Sequence, residues 1–234
     1  MVLRAAALRQ NWPEGRQEPW ASQMMNGGAW TRSGGACSPS FLLRVRDGTL
    51  GDDVFGRWMQ QDRWFVAEGV RFLAALLARA PERHRDLLAT TIDAYRQELR
   101  LFEEEAGKAS LTLAGVRPGF VNHAYTHFLL ATAYGGTYAE AFTALYVAER
   151  AYHDSWRVVR AGVRQGFRWH RFVENWAGDA FAAFVARLES ELDGLAAAAA
   201  EEERRAMAEV FELTTRYEIA FWDMALEGAT WPGD

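Results

Sequence analysis

The feature that most restricts how this chain can fold is the return of apolar residues in steps of three and four. One stripe runs Phe55, Trp58, Met59, Asp62, Phe65, Val66, Phe72, Leu73 and Leu76. A second runs Phe142, Leu145, Glu149, Tyr152, Trp156, Val159 and Val163. A third runs Val210, Phe211, Thr214, Tyr217, Glu218, Phe221 and Trp222. A shorter one holds Val121, Ala124, Tyr125, Phe128 and Leu129. This spacing places each set on one face of an α-helix. No strand pattern and no internal repeat stands out beside it, so the chain reads as all-α, a helical bundle of roughly seven helices.

Each long stripe carries a carboxylate at a core position: Asp62, Glu149 and Glu218. A single acid on a stripe often stands at its edge and reaches water, since acids are rarely fully buried unless paired. Three flanked by Trp, Phe and Tyr are harder to place that way. A buried ionised carboxylate without partners is costly enough that the group changes its proton affinity instead. The three acids therefore suggest one internal cavity that binds something polar. Tyr125, Tyr152 and Tyr217 share those stripes, and a phenol can donate to a carboxylate and hold it in one orientation. Each of these tyrosines, taken alone, is better read as core; as a group, on stripes that already carry acids, the two readings balance.

The boundaries of the bundle are legible from breakers and caps. Residues 1 to about 38 are rich in Gly, Ser, Arg and Trp and lack a helical period. They read as a disordered leader or an over-extended start, since Met24 and Met25 lie inside; Trp12, Trp20 and Trp30 are the groups in it able to dock. The opening MVLRAAALRQ is too short and broken for a signal peptide. One domain follows, over residues 39–230. The expected helices cover about 52–80, ended by Pro81, then about 82–106, 120–134, 138–164, 168–195 with a kink near Ala177 and Gly178, and 201–227. The run Ala196 to Ala200 reads as a solvated helical linker.

Composition narrows the function. Half of the 234 residues are hydrophobic and 13% are aromatic, so the chain folds. A net charge of −5 with interspersed signs offers no nucleic-acid surface and no basic stripe for a membrane. Cys37 is the one cysteine. It excludes an internal disulfide and a thiolate cluster, and it fits a cytoplasmic location. His123 and His127, like Glu149 and His153, have i, i+4 spacing. Neither pair lies squarely on an apolar face and no Glu-x-x-His occurs, so no metal or other cofactor is expected. There is no phosphate-binding glycine loop and no serine elbow.

From about Phe41 to Ala225 the chain resembles the TenA/thiaminase II family. The segments RDGTL at 46–50, QQDRWF at 60–65, AYTHFLLATA at 124–133, GGTYAEAFTAL at 135–145, ENWAGDAF at 174–181 and YEIAFWDMA at 217–225 carry the likeness. It implies a haem-oxygenase-like helical bundle with a pocket for an aminopyrimidine, the small-molecule half of thiamin. It also implies a homodimer or homotetramer. By this resemblance Asp62 binds the aminopyrimidine edge, Glu218 takes part in proton transfer, and Tyr125 and Tyr152 line the pocket. Trp176 stands where relatives usually have Tyr, which loses a hydroxyl and keeps a ring.

One departure directs the functional expectation. The better-known branch has a nucleophilic Cys in an L-P-C-x-W-x-Y stretch; aligned on Tyr152, that Cys falls at Ala148. Here the segment reads LYVAERAYHDSW, with Glu149 next door, which resembles the acid-type branch. The expected activity is hydrolysis of 4-amino-5-aminomethyl-2-methylpyrimidine, or of its N-formyl derivative, in thiamin salvage. Glu149 and Glu218 would be the acid/base pair. Asp62, Tyr125, Tyr152, Trp176 and Phe65 would bind substrate, with Trp64 and Trp222 as further possible walls. Glu98, Asp154 and Tyr217 are secondary candidates. The alternatives are a pyrimidine-binding or regulatory protein without catalysis, and a haem-oxygenase-like metal oxidase.

Overall fold

The computed structural model of the chain describes residues 18–27, 30 and 39–233; Cys37 and Trp12 lie outside them. The described residues form nine helices and no strand: α1 (Trp20–Met25), α2 (Ser40–Asp47), α3 (Asp52–Ala78), α4 (Glu82–Lys108), α5 (Phe120–Gly135), α6 (Tyr138–Arg160), α7 (His170–Ala177), α8 (Asp179–Ala198) and α9 (Glu201–Glu227).

Helix α6 organises the bundle. It is buried around nearly its whole circumference and touches α2, α3, α5, α7, α8 and α9. A helix that is apolar all round belongs in the interior, and five alanines (139, 141, 144, 148 and 151) let its neighbours approach closely. A capping box starts it: the Thr137 hydroxyl accepts from the Glu140 N–H at 3.2 Å, while the Glu140 carboxylate accepts from the Thr137 N–H at 3.3 Å. Because α6 is central, Glu149 on it is only 5% exposed. Its burial follows from the helix it occupies.

Helix α3 packs along α4, and α9 lies against α6. Asp52 and Asp53 complement the dipole at the start of α3, and α2 ends on Gly48 in the left-handed region at φ 69°. The two glutamines before Asp62 tie down the loop at 109–119. Gln60 Nε2 donates to the Thr112 carbonyl at 2.8 Å and Gln61 Nε2 to the Arg117 carbonyl at 3.0 Å. Gln61 Oε1 accepts from the Gly119 N–H at 3.0 Å and from Asn122 Nδ2 at 3.1 Å. The QQD segment thus fastens the entry to α5 with its glutamines and leaves the next side chain, Asp62, in the core.

Three expectations are corrected here. Part of the supposed leader is ordered: α1 docks on the bundle, with Ala21 fully buried and its N–H donating to Asp193 Oδ1 at 2.8 Å, and Trp20 meets Phe211 edge-on at 6.2 Å. Trp30 packs on the same ring at 6.0 Å. The burial of these tryptophans outweighs the lack of periodicity around them. The alanine run is not a solvated linker, because Ala196 and Ala199 are buried where α8 meets α1. The kink near Gly178 is a complete break. There the backbone is extended at ψ 163°, and a Cβ would stand 2.5 Å from the Glu174 carbonyl oxygen.

Candidate active site

Four carboxylates converge in the interior, from four helices. Asp62 comes from α3, Glu98 from α4, Glu149 from α6 and Glu218 from α9, and none is more than 8% exposed. Each is held by a donor from another helix. Tyr152 donates to Asp62 Oδ1 at 2.5 Å, Tyr125 to Glu218 Oε1 at 2.6 Å and Tyr95 to Glu149 Oε1 at 2.8 Å. Glu98 Oε1 accepts from Asn175 Nδ2 at 2.9 Å and from the Trp176 indole N–H at 3.0 Å. The second oxygens of Asp62 and Glu218 are buried with no partner among the described residues. Such an atom is either protonated or waiting for a donor.

Asp62, Glu98 and Glu149 share a small cavity with Phe65, Val66, Tyr95, Ala148, Tyr152 and Trp176. Its volume is about 20 Å³, room for about one water. Glu218 does not face this cavity. It stands behind it, close enough for its charge to be felt at Glu149 and for the charge of Asp62 to be felt at Glu218. An outer chamber of about 360 Å³ lies between α4, α7 and α8 and meets the inner cavity at Tyr95, Glu98 and Glu149. A larger surface hollow of about 820 Å³, bounded by α1, α8 and α9, holds none of the buried acids.

Among the described residues, no Lys, Arg or His lines either the inner cavity or the outer chamber. Burial therefore dominates the proton affinities. Desolvation lifts Glu98 from 4.5 to about 7, against the pull of the Asn175 and Trp176 donors. It lifts Glu149 to about 8, helped by the charges of Glu98 and Glu218 and opposed by the Tyr95 hydrogen bond. Glu218 also rises to about 8, through burial opposed by Tyr125 and assisted by Asp62. Asp62 is raised by burial, with Tyr152 opposing and Glu98 assisting. Carboxyls poised near neutrality suit proton transfer, and an electron-poor basic ligand would meet both acids and acceptors here.

Aromatic rings brace the acids. Tyr152 stacks on Trp222 at 5.2 Å and meets Trp176 edge-on at 5.5 Å. Phe65 packs on Tyr125 at 5.0 Å, and Tyr217 lies parallel to the other side of that phenol at 5.0 Å and 2°. Tyr217 is thus a support for Tyr125, outside the cavity. Asp154 is turned away, accepting from Arg150 Nε at 2.8 Å. Trp64 is half-buried and absent from the cavity wall. Trp176 brings a polar function of its own, since its indole N–H donates to Glu98 Oε1 at 3.0 Å, and its ring stacks on Trp156 at 5.2 Å and Phe172 at 5.5 Å. His123 and His127 stack on each other at 3.9 Å, away from the four acids. Among the described residues no three His, Cys, Asp or Glu side chains gather as metal ligands do.

Residues 39–228 match the model of the TENA/THI-4/PQQC family. The chain belongs to this family. A TenA homologue from Pyrococcus furiosus superimposes with a TM-score of 0.83 at 30% identity, covering 88% of this chain and 99% of that one. An aminopyrimidine aminohydrolase from Helicobacter pylori is 25% identical over 221 residues, 88% of this chain and 98% of the relative. A probable bifunctional TENA-E protein from Glycine max is 26% identical over 199 residues, 82% of this chain and 86% of the relative. The fold is also shared with a domain described as haem-oxygenase-like from Shewanella denitrificans, at a TM-score of 0.67 and 11% identity. No helix among the described residues is long and apolar enough to cross a membrane.

Tyr95 is the site residue that sequence reasoning passed over. It lies on α4, which carries none of the four stripes, yet its hydroxyl holds Glu149. The signal for it was on another helix. Gly69 lies on the buried face of α3, and a Cβ there would stand 2.6 Å from the Tyr95 ring. A helix-weakening glycine inside a long core helix marks a close approach.

Proposed function

We propose that this protein is an aminopyrimidine hydrolase that replaces the exocyclic nitrogen of 4-amino-5-aminomethyl-2-methylpyrimidine with water. The observation that carries this reading is the set of three buried carboxylates lining one cavity, with Glu218 buried behind them and no Lys, Arg or His among the described residues of its wall. An aminomethyl group is an ammonium ion at neutral pH. Its charge offsets the burial that chiefly raises Glu149 and the repulsion from Glu98 and Glu218 that adds to it, so binding of the substrate itself converts that group towards carboxylate. A neutral N-formyl derivative brings no such charge, so the free amine is the better match.

The residues divide the work by which oxygens remain open. The free Oδ2 of Asp62 accepts from the ring amino group. Glu218, protonated near neutral pH, donates from its free Oε2 to a ring nitrogen. Glu149, at the cavity wall, takes a proton from water. The water oxygen then bonds to the exocyclic methylene carbon as the C–N bond breaks, and the nitrogen leaves with the electron pair as ammonia. The proton ends on Glu149, so charge and atoms balance. Phe65, Tyr152 and Trp176 wall the ring. Because the empty cavity is far below the usual size of a ligand site, the ring enters by displacing these side chains. Assembly as a homodimer or homotetramer is part of the same proposal.

The test is turnover of thiamin, the aminomethylpyrimidine and its N-formyl derivative by pure protein, followed by chromatography. The expected result is hydroxymethylpyrimidine from the amine, with thiamin untouched and Glu149→Gln inactive. Cleavage of thiamin, or full activity in Glu149→Gln, would overturn the assignment.

A further inference from the structure

We infer that the outer chamber is the amine-side subsite of this reaction, and that the protein accepts secondary pyrimidinylmethyl amines whose nitrogen carries an apolar or aromatic group. This rests on the aminopyrimidine reading of the inner cavity. The chamber adjoins the chemistry directly. Tyr95, Glu98 and Glu149 form a wall of both spaces. At the neck where the two spaces share this wall lie two side-chain hydrogen bonds, Tyr95 to Glu149 at 2.8 Å and Asn175 to Glu98 at 2.9 Å. A substrate that spans both spaces has to break these two bonds.

The lining identifies the occupant. Leu87, Phe181 and Phe184 give an apolar wall, with the two phenyl rings edge-to-face at 5.7 Å, and Thr90, Gln97 and Asn175 add uncharged polar groups. At about 360 Å³ the chamber falls within the range of small-molecule sites, far more than release of ammonia needs. Its charged groups are the two acids at the neck. A secondary ammonium spanning that neck has its cation beside Glu98 and Glu149 and its substituent against the phenyl rings. The step is the one already described. Water bonds to the methylene carbon and gives its proton to Glu149, and the C–N bond breaks. The pair stays on nitrogen, and a neutral primary amine leaves through the chamber.

The experiment compares the parent amine with its N-benzyl derivative, measuring ammonia and benzylamine released by the full chain. Both should be turned over, with kcat/KM values within about tenfold of each other. Ala94, an exposed residue in the chamber wall, provides the variant. Ala94→Trp should fill the chamber and lower the ratio of N-benzyl to parent kcat/KM by at least about tenfold. Turnover of the parent without the N-benzyl compound overturns the subsite alone. An equal loss on both compounds in Ala94→Trp also overturns it, because it places the pyrimidine ring itself in the chamber. No turnover of either compound by folded wild-type protein removes the aminopyrimidine reading and the subsite with it.

Discussion

Glu149→Gln should make the protein more stable in alkali while removing its activity. Burial raises the Glu149 carboxyl from 4.5 to about 8. Below about pH 4.5 the group is protonated in both the folded and the unfolded chain and contributes nothing to the pH dependence. As pH climbs past that value the unfolded chain releases the proton and the folded chain keeps it, so stability falls. The fall ends only above about pH 8, where the folded chain ionises as well. Between about pH 5.5 and pH 9 this single group withdraws on the order of 3 kcal/mol from the folded state. Glutamine keeps the shape and the acceptor for Tyr95 and cannot ionise. Part of the penalty is shared with Glu98 and Glu218, so about 2 kcal/mol should return at pH 9. For a domain of this size that is a rise in Tm of about 4–8 °C relative to wild type. At about pH 5.5 the two proteins should differ far less. Circular-dichroism melts at the two pH values measure it. An equal Tm difference at both, or a variant that is less stable at pH 9, would refute the idea that Glu149 is buried without a counter-charge.

Three further perturbations test the parts around it. Gln61→Ala removes the acceptor for the buried Gly119 N–H and the donor to the Arg117 carbonyl. It should cost about 2–4 kcal/mol in urea unfolding with an unchanged m-value, and a neutral result would show that water replaces the side chain. Trp176→Phe keeps the ring and removes a donor that holds Glu98 down, so a limb of the pH profile of kcat/KM set by Glu98 should move to higher pH. Trp176→Tyr should restore it in part, and unchanged profiles in both variants would take Glu98 out of the titration. Gly69→Ala improves helix propensity by up to about 1 kcal/mol, yet its methyl meets the Tyr95 ring at 2.6 Å. Activity should fall and any stabilisation should vanish; a more stable, fully active variant would show that the phenol does not need its place.

The helices were legible because amphipathic periodicity and breakers act locally. Pro81, Gly48 and the Thr137 capping box stand where the chain reverses, and the stripes put Asp62, Glu149 and Glu218 inside from spacing alone. What was not legible depended on contacts across helices. Val163 reads as part of the second stripe, but α6 ends at Arg160, ahead of Gly162 and Gly166. The position of Glu98 beside Glu149 depends on how α4 lies along α3, and Tyr95 acquires its role only through the gap at Gly69. Helix α1 was not legible as a helix because it is held by partners far away in sequence, with Trp20 against Phe211 and the Ala21 N–H on Asp193. Asp154 shares its helix with Glu149, but five positions along the helix turn it towards Arg150.

The pattern of donors explains how a bundle holds four acids without a cation among them. No acid is satisfied by its own helix. The bonds run from α6 to α3, from α5 to α9, from α4 to α6 and from α7 to α4. Each hydrogen bond that restrains a proton affinity therefore also joins two helices, so the acidity of the site reports the packing of the bundle. Helix α7 shows the coupling one step further out. His153 Nδ1 pairs with the Trp176 carbonyl at 2.9 Å and Arg160 donates to the Ala177 carbonyl at 2.5 Å, so α6 grips the end of α7 where its carbonyls are otherwise unpaired. That grip fixes the ring whose N–H restrains Glu98. Residues two contacts away from any substrate thus set how readily the acid at the neck gives up its proton, and changes there should alter pH dependence before they alter the fold.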